Sequence, residues 1–218
     1  MPSDAAPRGA GVLMAIGGAE DKLGDRTILS HFVRLAGGDR ARIVVLATAS
    51  SLGDELTGLY ERVFAELGAA EVRPLRPRTR EQAEAAAPAE EVARATGVFM
   101  TGGNQLRLSM VVAGTRLGAA MLDAHRRGAV VGGTSAGASA LSSHMVAFGR
   151  EGPTPKHRMV HLAAGLGIVQ GVVIDQHFEQ RGRIGRLLAL VAQSPSLLPS
   201  ILRKRWRVSR LPFGAARP

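Results

Sequence analysis

The sequence predicts a single α/β domain in which a parallel β-sheet is covered by helices on both faces. Strand-like and helix-like segments alternate along the 218 residues, an order typical of strands joined by right-handed helical crossovers. The run at 42–47 is continuously apolar after its first residue, as expected for a strand buried on both faces of a parallel sheet. With 45% hydrophobic residues, a chain of this length can bury one substantial core.

The predicted strands are short apolar runs that end at glycine or at polar residues. They cover residues 11–16, 42–47, 71–75, 97–101, 129–132 and 166–174. The predicted helices have apolar residues three and four positions apart. They cover residues 26–36, 51–67, 80–95, 106–127 and 182–193, and a further helix starts at residue 138. We expect Pro88 to break the third helix, Gly114 to divide the fourth, and residues 149–158 to form a loop.

Composition excludes several classes of protein. The chain has no cysteine, which rules out disulfides, a thiol nucleophile and thiolate-bound metal. No segment approaches the roughly 18 apolar residues that a membrane-spanning helix needs. The apolar run at 12–16 is too short for the core of a signal peptide. We therefore expect a cytoplasmic protein without a membrane partner.

The net charge of +10 is concentrated at the C-terminus. Residues 199–218 contain six Arg and Lys residues and no acid, so residues 1–198 carry 22 basic and 18 acidic side chains and a charge of only +4. The charge therefore gives little support to nucleic-acid binding by the main domain. We divide the chain into a flexible N-terminus (1–10), an α/β domain (11–198) and a basic, atypical tail (199–218).

The strongest local signal is the sequence Gly-Thr-Ser-Ala-Gly at 133–137. A nucleophile elbow needs a tight strand-to-helix turn, and small residues two positions either side of the serine let the backbones approach. The predicted strand before Ser135 and the helix after it supply this context. The N–H of Ala136 would then stabilise an oxyanion at the helix N-terminus. The alternative is a glycine-rich turn in which Ser135 caps a helix.

A second predicted strand ends in Gly-Gly-Asn-Gln at 102–105. Glycines after a buried strand expose backbone N–H groups at the carboxyl edge of the sheet, where open α/β folds bind ligands. Gly103 or Asn104 is a candidate for the second oxyanion donor, and Gln105 for substrate binding. The alternative is an ordinary turn in which Asn104 caps the next helix.

The last predicted strand ends in Asp175, Gln176 and His177. A serine nucleophile needs a base within hydrogen-bonding reach. Of the six histidines, His177 is the best placed, because it closes a strand that follows the candidate nucleophile. The others lie on predicted helices or loops.

Charged side chains flank these strand ends. Arg181, Arg183 and Arg186 follow the last strand, and their planar guanidinium groups suit a clamp for carboxylates; the alternative is a solvated helix face. Glu20 and Asp21 follow the first strand at the same edge of the sheet. Their alternative role is to cap the start of a helix.

Together these segments resemble the cyanophycinase and aspartyl dipeptidase family of serine peptidases over residues 11–198. The matching segments are 17–22, 101–105, 133–138 and 175–178, with the three arginines that follow. The resemblance implies a flavodoxin-like sheet of the class I glutamine amidotransferase type, with no cofactor and no metal. It also implies hydrolysis of cyanophycin, a polyaspartate with arginine on its side chains, to β-Asp-Arg dipeptides.

By match to the family's motifs, Ser135 is the nucleophile and His177 the base, while Gly103 and Ala136 are our candidates for the oxyanion hole. The resemblance places six residues in the substrate pocket: Gln105, Asp175, Gln176, Arg181, Arg183 and Arg186. It leaves a homodimer open.

The resemblance stops in the tail. The family's triad glutamate is expected near position 204, which is Lys204 here, and no acidic residue follows Glu179. The abrupt change in composition indicates a shifted reading frame or a truncated gene, and we expect the family's C-terminal strands to be missing. Without the acid the histidine tautomer is not held, so we expect weak or absent peptidase activity.

Three other functions remain open. One is an aspartyl dipeptidase of the same family, acting on small substrates. Another is an inactive remnant that only binds. The third is nucleic-acid binding by the tail, which is less favoured because Trp206 and Phe213 are the only aromatic residues there and no recognised motif accompanies them.

Overall fold

The computed structural model describes residues 10–52, 54–150, 152–156, 158–176 and 182–196, and the backbone of residues 198–201 and 206–209. Ten strands are assigned in these ranges: β1 (Leu13–Ile16), β2 (Arg42–Leu46), β3 (Glu71–Leu75), β4 (Gly97–Met100), β5 (Val130–Thr134), β6 (His144–Gly149), β7 (Val160–Ala164), β8 (Val172–Asp175), β9 (Leu198–Ile201) and β10 (Trp206–Ser209). The helices are α1 (Thr27–Leu35), α2 (Asp54–Glu66), α3 (Arg80–Glu84), α4 (Ala86–Arg94), α5 (Gln105–Val112), α6 (Arg116–Arg126), α7 (Ala136–Ala140) and α8 (Ile184–Gln193), with a 3-10 turn at Gly38–Arg40.

Six strands form the central sheet, in the order β10-β1-β5-β4-β2-β3. Strands β1 to β5 are mutually parallel, and β10 pairs antiparallel with β1 at one edge. The predicted parallel α/β sheet is therefore confirmed. Because β1, β4 and β5 are neighbours, the loops after these three strands meet at one carboxyl edge.

The core has two layers because alternate strand residues point to opposite faces of the sheet. In β1, Met14 packs with α1 and α2 around a cluster of aromatic rings, in which Phe99 lies 5.2 Å from both Phe32 and Phe64 between ring centroids. Its neighbour Leu13 belongs to the other layer, which is covered by α3 to α7. Both faces of the sheet are thus buried, as the apolar strands predicted.

Several element boundaries differ from those predicted. The third helix breaks at Ala85, and Pro88 lies in the first turn of α4, where a proline removes no intrahelical hydrogen bond. The predicted division of the fourth helix around Gly114 is confirmed by α5 and α6. The long strand predicted at 166–174 is reduced to β8, and a β6–β7 hairpin encloses the loop predicted at 149–158.

The tail contributes more regular structure than the sequence indicated. The backbone of β9 continues from residue 198 into the tail and pairs parallel with β8, and β10 extends the central sheet. These two strands lie in a segment for which the sequence predicted none. Within the residues that the structure describes, no helix is long and apolar enough to cross a membrane.

Burial lowers the pKa of His125, which lies in the last turn of α6. A lowered folded-state pKa means that the unfolded chain binds the proton more tightly. The free energy of unfolding should therefore fall as the pH drops below about 6.5, the ordinary pKa of histidine. Thermal unfolding measured between pH 7.5 and 5.5 tests this. His125→Gln should flatten that slope, whereas His144→Gln, at an exposed position, should leave it unchanged; equal slopes in all three proteins would contradict the assignment.

Candidate active site

Ser135 stands at a sharp turn between β5 and α7. Its backbone has φ 51° and ψ −110°, a conformation that costs a non-glycine residue on the order of 1–3 kcal/mol and is concentrated at functional sites. The Ser135 N–H donates to the carbonyl of Ile16 (2.9 Å), and the Ser135 carbonyl accepts from the Ser139 N–H (3.1 Å). Both ends of the strained residue are thus tied to regular structure.

Two glycines allow this turn because neighbouring backbones leave no room for a side chain. A Cβ on Gly133 would lie 2.3 Å from the carbonyl carbon of Gly137. A Cβ on Gly137 would lie 2.4 Å from the carbonyl oxygen of Met100, at the end of β4. The small residues on each side of the serine therefore have the steric role expected of a nucleophile elbow.

The loop after β4 lies directly beside the serine. A Cβ on Gly102 would lie 3.4 Å from the Cβ of Ser135. Gly103 has φ 140°, and a Cβ there would lie 2.1 Å from the carbonyl oxygen of Ala49. Ala136 is the first residue of α7, so its N–H precedes the first intrahelical hydrogen bond. Of the groups proposed for an oxyanion hole, Ala136 follows Ser135 directly and Gly103 lines the same cleft, and their role stays a prediction.

The polar side chains after Gly103 have structural partners. Asn104 accepts a hydrogen bond from the Arg107 N–H (3.0 Å) and caps α5, which was the alternative role for this residue. Gln105 donates from Nε2 to the carbonyls of Val146 (2.9 Å) and Ala147 (3.0 Å). Gln105 thereby anchors β6 to the start of α5, and its predicted contact with substrate remains untested.

Ser135 opens onto a cleft of about 300 Å³ at the carboxyl edge of the sheet. Its walls come from the loops after β1, β2, β4 and β5 and from α2. They include Ala19, Glu20, Lys22, Ser50, Ser51, Leu52, Leu56, Tyr60, Gly102, Gly103, Thr134 and Ser135. The cleft is where an open α/β sheet binds its ligand, so it is the candidate substrate site.

A buried carboxylate lies behind this cleft. The Glu20 side chain is 1% exposed and accepts hydrogen bonds from the hydroxyls of Tyr60 and Thr134. Its third partner is the ammonium group of Lys22, with 2.9 Å between Nζ and Oε1. Burial and the neighbouring Glu20 carboxylate raise the pKa of Tyr60, so its phenol stays protonated and donates to Glu20.

Asp21 has a different role from Glu20. Backbone N–H groups of Gly24, Leu23 and Arg26 donate to its carboxylate and lower the pKa of Asp21. Asp21 therefore organises the turn that leads into α1, close to the cap considered from the sequence.

Sequence reasoning placed Glu20 only at the sheet edge and missed its partners, because Tyr60 is 40 residues away on α2.

The end of β8 forms a second buried charge cluster. Asp175 is 1% exposed and accepts a bidentate interaction from Arg186, in which Nε lies 2.9 Å from Oδ2. Arg183 donates to the Gln176 backbone carbonyl (2.6 Å) and side-chain carbonyl (3.2 Å), and its Nη1 is 3.7 Å from Asp175 Oδ1.

The four residues of this cluster hold the end of β8 against the start of α8. Arg183 and Arg186 are buried, so the alternative of a solvated helix face is wrong for these two. Their predicted role in binding substrate is untested. His177 and Arg181, the other predicted site residues of this segment, lie outside the described residues.

In the described part of the chain, no group of three or more His, Asp or Glu residues could hold a metal ion.

Comparison with known proteins places these features in a family. Residues 12–202 match the model of peptidase family S51. Cyanophycinase from Trichormus variabilis is 41% identical over 187 residues, which cover 85% of this chain and 63% of the relative. Cyanophycinase from Synechococcus elongatus is 41% identical over 198 residues, covering 86% of this chain and 59% of the relative. The chain belongs to peptidase family S51, and it spans about three-fifths of the length of these relatives.

Solved structures agree on the fold. A peptidase from an acI-B1 Actinobacterium superimposes with a TM-score of 0.64 at 22% identity, covering 80% of this chain and 71% of that one. A putative peptidase E from Listeria monocytogenes superimposes with a TM-score of 0.56 at 16% identity, covering 93% and 99%. Both structures support the α/β architecture predicted from the sequence.

Gly137→Ala should destabilise the protein by about 1–3 kcal/mol, because the new methyl group must push α7 away from the end of β4. Gly58→Ala is the matched control, since a Cβ there meets only Arg62 at 3.6 Å, within helix α2. The control should raise the free energy of unfolding by about 0.5–1 kcal/mol. Urea unfolding of both variants tests the argument, and a stable Gly137→Ala protein would show that the elbow is not tightly packed.

Proposed function

We propose that this protein is a serine peptidase that hydrolyses cyanophycin to β-Asp-Arg dipeptides with Ser135 as its nucleophile. The observation that carries the proposal is the strained Ser135 at a glycine-flanked turn, open to a cleft beside Gly102 and Gly103. The substrate is proposed because curated relatives of about 41% identity are cyanophycinases.

In the proposed mechanism, Ser135 Oγ attacks the carbonyl carbon of the scissile peptide bond while His177 accepts the hydroxyl proton. The backbone N–H groups of Gly103 and Ala136 stabilise the negative oxygen of the tetrahedral intermediate. His177 then returns the proton to the amine that leaves, and an acyl-enzyme ester remains on Ser135. Water, deprotonated by His177, hydrolyses this ester and regenerates the serine.

Recognition in this proposal draws on the charged cluster at the end of β8. Each unit of cyanophycin carries a free carboxylate and a guanidinium group, so its binding requires both basic and acidic partners. Asp175, Gln176 and the arginines at 181, 183 and 186 are proposed for this role by motif match. Arg183 and Arg186 already pair with Asp175 and Gln176, which would hold their guanidinium planes in fixed orientations.

The weak point of the proposed machinery is the acid that should orient His177. Position 204 is lysine, and no Asp or Glu follows residue 179 in the 218-residue sequence. Among the described residues, the buried carboxylates are Glu20 and Asp175, and both have other partners. A histidine without its carboxylate partner loses rate by about 10⁴-fold in comparable triads.

Ser135→Ala should lower the remaining hydrolysis of cyanophycin granules by about 10²-fold, because no other group at the elbow can form the acyl-enzyme and triad losses are not additive. Ser143→Ala, at a partly exposed serine outside the cleft, is the control and should keep the parent rate. Release of β-Asp-Arg, followed by chromatography, measures both. Activity that survives in Ser135→Ala would overturn the nucleophile, and activity on Asp-X dipeptides alone would favour the aspartyl dipeptidase.

The 218-residue chain should hydrolyse cyanophycin about 10⁴-fold more slowly than a family member that has the triad glutamate. The comparison uses equal concentrations of the two enzymes and the same polymer suspension. A comparable rate would show that another carboxylate supports His177. Binding of the polymer with no turnover in any assay would support the alternative of a binding protein.

A further inference from the structure

We infer that Lys22 binds a carboxylate of the substrate in the Ser135 cleft and that Glu20 holds its ammonium group in place. This inference rests on the proposed function, because it assumes that the cleft receives a peptide with free carboxylates. It concerns the Ser135 cleft, which Arg183 and Arg186 do not line, and it is carried by the contacts of Glu20 and Lys22.

Both carboxylate oxygens of Glu20 are bonded to neighbouring side chains. Its Oε1 receives the Tyr60 hydroxyl and the Lys22 ammonium, and its Oε2 receives the Thr134 hydroxyl. Burying a carboxylate is costly unless such partners replace water. With its side chain 1% exposed and both oxygens bonded, Glu20 is suited to hold neighbours in position rather than to meet a ligand itself.

Lys22 differs from Glu20 because its partners leave it able to bind another group. Its Nζ contacts Glu20 Oε1 at 2.9 Å and the Glu20 backbone carbonyl at 3.2 Å, and it lies 5.4 Å from the centre of the Tyr60 ring. An ammonium group has three donor hydrogens. Within the part of the chain that the structure describes, two are used, while the side chain is 22% exposed and lines the cleft.

The chemistry of this position favours a carboxylate. Lys22 is the one basic side chain among the described residues that line the cleft. The remaining hydrogen of its ammonium group can make one charge-assisted hydrogen bond, which matches a single carboxylate oxygen. Since Glu20 already balances its charge, the position suits one carboxylate better than a multiply charged anion.

Glu20 also joins this subsite to the nucleophile. Thr134, which donates to Glu20, immediately precedes Ser135 in the elbow. The group that positions Lys22 is therefore bonded to the residue next to the nucleophile. A substrate carboxylate held by Lys22 would consequently have a defined position relative to Ser135.

The test uses the full chain with Ser135→Ala, which prevents turnover, and two probes: β-Asp-Arg dipeptide and the same dipeptide with both carboxyl groups converted to carboxamides. Calorimetry measures their affinities. Adding Lys22→Met, which keeps an unbranched chain as far as Cε but removes the ammonium group, should weaken binding of the free acid about tenfold or more and leave the diamide almost unchanged. Lys22→Arg should retain most of the affinity for the acid.

Lys156→Met is the matched control, because Lys156 is exposed on the β6–β7 connection and does not line this cleft. It should leave the affinity of both probes unchanged. Thermal unfolding of each variant separates loss of a ligand contact from loss of folding. If Lys22→Met lowers the affinity of acid and diamide equally, the salt bridge is only structural and the inference is wrong.

The remaining outcomes separate this inference from the proposed function. If the Ser135→Ala chain binds the free acid and Lys22→Met binds it equally well, the Lys22 subsite is overturned and the proposed function stands. If neither probe binds to the Ser135→Ala chain, the proposed substrate is overturned and the subsite falls with it.

Discussion

The site depends on the close approach of three backbone segments at the carboxyl edge of the sheet. The end of β5 turns at Ser135 into α7, and Gly133 and Gly137 let this turn press against itself and against the end of β4. Close packing of this kind stabilises Ser135 at its positive φ, because a strained residue persists only where contacts with the surrounding structure offset its conformational energy.

Two buried charge clusters join separate elements of the structure. Glu20 links the loop after β1, helix α2 and the elbow through its bonds to Lys22, Tyr60 and Thr134. Asp175 and Gln176 join the end of β8 to the arginines at the start of α8. In each cluster the charged groups lie among partners that replace water, so burial does not leave an uncompensated charge. Charges in the proposed substrate site are therefore held in fixed geometry before any ligand binds.

Residues 12–202 match peptidase family S51. The sequence nevertheless has no acid at the position where the resemblance places the supporting glutamate of the proposed triad. Strands β9 and β10 continue the backbone beyond the matching motifs, and β10 adds an antiparallel edge to the sheet. A strand can pair through backbone groups whatever its side chains are, whereas a triad needs a carboxylate at one position. The tail can therefore extend the sheet while Lys204 stands where the resemblance places an acid.

The sequence by itself determined the features that depend on local pattern: the alternating α/β order, the apolar strands, the division of α5 from α6 and the glycine-flanked serine. These features follow from side-chain periodicity and from backbone sterics over a few residues. Only the tertiary structure decided which distant side chains meet, such as Glu20 with Tyr60 and Thr134, or Gln105 with the backbone of β6. Such contacts join residues 40 or more positions apart, and the packing of strands and helices, which no local pattern encodes, brings them together.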